Sequence, residues 1–188
     1  MLPRTHASRP AKDPNGRVAR TLVSIAFLLL TTVPASATTL RRLGLGDLVK
    51  ASDTIILGRV ESTRAFWQGK QIYTEVTVVV TRSLKGARSS RTSFLQLGGR
   101  VDSPVPLQMT VPGAPIHRVG DEGYFFLQPG RPGERILVGL SQGRVPVHRD
   151  GQGEHVMSGG ARKTTAGFEE DIRRQMAGQK QDRSGGTQ

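Results

Sequence analysis

The chain has 188 residues, no cysteine and a formal net charge of +12. The lack of cysteine excludes disulfides, thiolate metal sites, a thiol nucleophile and lipid attachment at a cysteine. The positive charge draws a protein toward polyanions, but taken alone it argues only solubility and non-specific attraction.

The opening residues have the three parts of a secretory signal peptide. Arg4, Arg9, Lys12, Arg17 and Arg20 make a basic leader opposed only by Asp13. The apolar run Thr21 to Val33 follows and is ended by Pro34, and Ala35-Ser36-Ala37 gives a small-x-small cleavage pattern. A spanning helix needs about 20 apolar residues, and this run is shorter. Cleavage is therefore expected after Ala37, with 1–37 as signal peptide. The mature chain would begin at Thr38 in the periplasm or outside the cell, with no transmembrane segment left. About 150 residues remain, which suits one domain with its own core.

Leu45, Leu48 and Val49 fall at helical spacing and predict a short amphipathic helix over 43–52. The period then changes. Ile56 and Val60 share a face of a long strand over 53–67, with Gly58 where it can bend. QGKQ at 68–71 signals a hairpin. The return strand is dense in β-branched residues, with Ile72, Thr74, Val76, Val78 and Val80 alternating, and stops at Lys85-Gly86. A third strand is expected over 91–99. The prolines at 104, 106, 112 and 115 make 100–120 a covering loop.

GYFFLQ at 123–128 reads as a fourth strand, PGRPGE as a reversal and RILVGL as a fifth strand. GRVPVHRD is a sixth, with HVMS at 155–158 as a possible short partner. Phe168, Ile172 and Met176 line one stripe of a C-terminal helix. Its early Glu169, Glu170 and Asp171 and later Arg173 and Arg174 suit the helix dipole. The expected division is a barrel domain over 38–158, then the helix and a disordered tail over 159–188. Ile56, Val60, Val76, Val78, Leu95, Phe125, Leu127 and Val138 are expected in one core, with the C-terminal helix packed onto it.

GLSQG at 139–143 matches G-x-S-x-G, the nucleophile elbow of the α/β-hydrolases. An elbow needs a helix after the serine, yet Val145 and Val147 alternate as a strand and Pro146 is unfavourable in a helix. Asp150 and His155 follow Ser141 in the order Ser-Asp-His, but within one hairpin. Triads of this class gather from separated loops of a large parallel sheet, which this chain lacks. No catalytic residue is assigned. Of the histidines after the leader, His148 and His155 can face each other across the turn near Asp150 and Glu154. A structural or catalytic zinc site needs three or four converging protein ligands, so no metal and no cofactor is assigned. The remaining polar cluster is basic: Arg82, Lys85, Arg88, Arg91 and Arg100 surround the turn SLKGARSSRTS, with Phe94 close by. Cations beside an aromatic suit a polyanion, and Arg82, Lys85, Arg88 and Arg91 are the candidate binding patch.

The segments LGDLVKASDTIILGRVES, YTEVTVVVTRSLKG, VGDEGYFFLQ and VGLSQGR span about Leu43 to Val147. Their order resembles that of exported bacterial proteins with a netrin-like domain. That domain shares the fold of the N-terminal domain of tissue inhibitors of metalloproteases, a variant OB-fold. The resemblance implies a mainly β, small OB-like barrel, closed or partly open, with a short N-terminal and a C-terminal helix. Those inhibitors place an N-terminal cysteine on the target zinc. This chain has no cysteine, so inhibition does not carry over by residue. The expected function is a non-enzymatic exported binding module for a protein or a surface polyanion. A small serine hydrolase using Ser141 and an inhibitor of an exported protease are the alternatives. Cellular nucleic acid is not an expected partner of an exported chain.

Overall fold

The computed structural model describes residues 42–86 and 88–184, with side chains as far as Gln179. The expected signal peptide and its cleavage site lie outside the described residues. Helix α1, Leu45–Ala51, buries Leu48 and Val49, and its Asp47 carboxylate accepts from the Gly44 amide at 3.3 Å. Strands β1 (Thr54–Gln68) and β2 (Gln71–Lys85) then form the long hairpin expected from their alternation. At Gly58 β1 presses onto its partner. A Cβ there would lie 2.5 Å from both Val78 Cγ1 and the Val79 carbonyl oxygen, so only glycine fits. The register shifts between Leu57 and Gly58, which is the bend.

Strand β3 is Arg91–Leu97. The stretch expected as loop contains a small pair of its own, β4 (Gly99–Val101) with β5 (Leu107–Met109). The prolines spare these two short segments, and Val101 is buried. Next come β6 (Glu122–Pro129), β7 (Arg135–Leu137), a 3-10 turn (Leu140–Gly143) and β8 (Arg144–Asp150). Strands β9 (Gly153–Ser158) and β10 (Ala161–Thr164) follow, then helix α2, Thr165–Ser184. The expected boundary at 158/159 falls in the turn between β9 and β10. Helix α2 extends past Met176 through residues expected as disordered tail.

Among the described residues the fold is mainly β: one eight-stranded sheet ordered β1-β2-β3-β7-β6-β8-β9-β10, the separate β4-β5 pair, and two helices. Strand β1 also pairs with β6, from Thr54↔Leu127 to Arg59↔Glu122. Pairing thus runs β1-β2-β3-β7-β6 and returns to β1. The β3–β7 step is parallel and rests on one pair, Leu95↔Ile136. Among the described residues no helix is long and apolar enough to cross a membrane.

Two cores lie on opposite faces. Ile56, Val60, Val76, Val78, Phe94, Phe125, Leu127 and Leu137 form the inner core, on the face away from the helices. Leu48, Val49, Ile55, Leu57, Tyr124, Phe126, Val138, Val156, Phe168 and Ile172 form the other, under both helices. The inner core contains six of the eight residues expected there. Leu95 is replaced by Phe94, because Phe94 pairs with buried Val76 and so takes the inward face of β3. Val138 follows the end of β7 and turns to the helix side. Helix α2 therefore packs on the second core, not on the first.

Candidate functional site

Three of the four residues of the basic patch are already engaged within the chain. Arg82 pairs with Glu169 of α2, whose side chain is 3% exposed and also accepts from Arg173 at 3.0 Å and from the Tyr124 hydroxyl at 3.0 Å. Burial, then the neighbouring Glu169 charge, pushes the Tyr124 phenol well above its ordinary range. Lys85 donates to the carbonyls of Val49 and Ser52 at 2.7 and 2.6 Å, at the C-terminal end of α1 where a cation is favoured. Arg91 makes a two-point ion pair with Glu61, both bonds 2.8 Å. Arg88 stays exposed in the turn. Arg100 pairs with Asp102. Phe94, the aromatic expected beside the patch, is in the inner core.

The GLSQG segment is a turn that leads into β8. Ser141 is exposed, and its hydroxyl makes no hydrogen bond to His155 or Asp150. Its amide donates to the Gly113 carbonyl. A Cβ on Gly143 would sit 2.5 Å from the Val138 carbonyl oxygen, so that glycine is required by the backbone beside it. Leu140 has φ 59°, a left-handed conformation that costs a bulky residue about 1–2 kcal/mol. Strain of this kind gathers at functional sites, and Leu140 is 36% exposed.

Leu140 lines a largely apolar groove of about 380 Å³ where β3 meets β7. Tyr73, Leu95, Leu97, Ile136 and Arg131 line it with Leu140. The groove exists because β3 and β7 share one pair and then part. Its rim is bridged by side-chain contacts. Gln68, at the β1–β2 tip, donates to Glu134 in the β6–β7 turn at 3.3 Å. Arg131, in the same turn, lies 5.6 Å from the Tyr73 ring centre and donates to its hydroxyl at 3.4 Å. Beyond Tyr73 the hairpin carries Phe66 under the Arg64 guanidinium, and Trp67 at 40% exposure. A larger cleft, about 730 Å³, opens beside α1 and α2. Two of its cations are already paired, Lys163 with Asp171 of the same cleft and Arg144 with Asp121 outside it.

His117 packs behind β3, its ring 5.3 Å from that of Phe94. Gln96 gives its amide to the Pro115 carbonyl at 2.8 Å and turns its oxygen to His117 Nε2 at 3.0 Å. Nε2 therefore donates, and Nδ1 is buried with no partner among the described residues. Burial, with Arg144 adding, pushes His117 down to about 4. Among the described residues no three His, Asp or Glu gather around one metal position.

The residues of the groove come from β2, β3, β7 and two turns, and no sequence motif joins them. The chain matches no family model, no curated protein and no solved structure.

Proposed function

We propose that this chain is an exported, non-catalytic binding module, built on a small OB-like barrel, that holds an apolar segment of a partner protein in the groove between β3 and β7. The return of strand pairing to β1 supports the barrel. The leader pattern expected at 1–37 supports export, and the resemblance to netrin-like domains supports both. The observation that carries the binding role is Leu140, a strained and exposed leucine at the edge of an apolar, prebuilt groove. Water is a poor reason to keep a leucine there, because a glycine would relieve the strain. A surface polyanion is the weaker reading, since Arg82, Lys85 and Arg91 spend their charge on Glu169, helix carbonyls and Glu61. A hydrolase is the weaker reading too, since a nucleophilic serine is held by an adjacent base and no hydrogen bond links Ser141 to His155 or Asp150 among the described residues.

A photoreactive side chain at Leu97 tests the site in the exported fraction. A discrete crosslinked protein is expected from the wild-type background. It should disappear with Leu140→Asp and persist with Ser141→Ala. A crosslink indifferent to Leu140→Asp, or esterase or peptidase turnover lost on Ser141→Ala, would overturn the proposal.

A further inference from the structure

Strands β8 and β9 pair as Val147↔Val156, His148↔His155, Arg149↔Glu154 and Asp150↔Gly153. Val147 and Val156 pack toward the second core. Alternation therefore puts His148 and His155 together on the opposite face. Their ring centres are 5.5 Å apart and their planes meet at 35°. A metal ion held at about 2.0–2.1 Å from a ring nitrogen sits about 3.2 Å from that ring's centre. Two rings sharing one ion thus have centres at most about 6.4 Å apart, and this pair is inside that limit.

Neighbouring groups fix which nitrogen is available. His155 Nδ1 faces the Gly153 carbonyl at 3.4 Å and Asp150 Oδ2 at 3.8 Å. Both are acceptors, so the proton belongs on Nδ1 and Nε2 is left as the ligand atom. Two neighbouring cations are paired. Arg162 holds Asp150 by two bonds at 2.6 and 2.8 Å, and Arg149 is shared by Glu154 and Glu122. His148 is exposed and can turn toward an ion, while the His155 side chain is only 12% exposed and is already set.

We propose that His148 and His155 form a two-imidazole chelate for one first-row divalent cation, completed by water, with Cu²⁺ held most tightly. Imidazole suits these metals, and affinity rises along the series to copper. The ligands must be neutral, so acidification should release the ion.

Titration of the full chain with Cu²⁺, followed by calorimetry and electron paramagnetic resonance, tests this. One equivalent should bind with nitrogen hyperfine structure from two imidazoles. Loss of an outer-shell partner already costs about 10–100-fold in metal affinity, so His148→Gln or His155→Gln should weaken this equivalent at least tenfold (about the lower bound of that range). Copper that survives both substitutions is held elsewhere, and if all of it survives the proposal fails. His148 is exposed, so His148→Gln leaves the fold intact and is the decisive variant; unchanged circular dichroism verifies that. Zn²⁺ should bind the same pair more weakly. Copper binding by His148→Gln equal to wild type would overturn the proposal, as would a spectrum with one coordinating nitrogen.

Discussion

Lowering the pH from 7 to 5 should destabilise this protein through His117. Its folded pKa, about 4, lies below the ordinary histidine value of 6.5 because burial disfavours the imidazolium. The unfolded chain therefore takes up the proton first. Stability from this group is fully present above about 6.5 and is lost as the pH falls toward 4. With those two values, linkage gives a loss of about 2 kcal/mol between pH 7 and pH 5. Most carboxylates remain ionised in that window, so the effect is separable from general acid denaturation. The physical cause is local: Nε2 is already donating to Gln96, and a proton on Nδ1 would be a buried charge with no acceptor among the described residues. Urea unfolding at pH 7 and pH 5 measures it. Wild type should lose about 2 kcal/mol more than His117→Gln, which keeps a donor for Gln96 and cannot titrate. Equal losses in the two proteins would refute the reasoning, because the histidine would then titrate alike in both states.

Truncating Phe94 to alanine should cost about 3–5 kcal/mol in thermal or urea unfolding, and Leu95→Ala distinctly less, since only Phe94 lies in the inner core. Removing Arg82 and Arg173 together should cost about 3–5 kcal/mol by leaving Glu169 buried and uncompensated, and more than the two single alanine variants summed. Replacing Leu140 with glycine should raise stability by up to about 1–2 kcal/mol, by relief of the left-handed leucine, while abolishing the crosslink at Leu97. Arg88→Glu should leave the unfolding free energy unchanged within about 0.5 kcal/mol, because the side chain is exposed.

The strands with strict alternation were legible from residues alone. β2 buries Ile72, Val76 and Val78 as its period demands. Period two does not decide between adjacent apolar residues, and TSFLQL offers both Phe94 and Leu95. Its register against β2 makes the choice, and that register is a long-range fact. Glu169 reads as a helix-start charge, yet it becomes a buried ion centre because Arg82, distant in sequence, meets it across β2 and α2. The cations of the SLKGARSSRTS turn look free in sequence for the same reason: Glu61 and the end of α1 come to them only on folding. The groove was not legible at all. It arises where two strands part after a single pair, and no local pattern encodes a separation.

Strand β1 has hydrogen-bonded neighbours on both sides where it pairs with β2 and β6, and Ile55, Ile56 and Leu57 are buried one after another on alternating faces. Consecutive residues there serve different cores. Neither layer can therefore melt while the other persists, since losing either strips one face of the same three residues. The protein should behave as one cooperative unit, with no independently stable fragment on either side of this strand. A homologue would have little freedom there: a polar residue at 55 or 57 would wound the helix layer, and one at 56 the inner core.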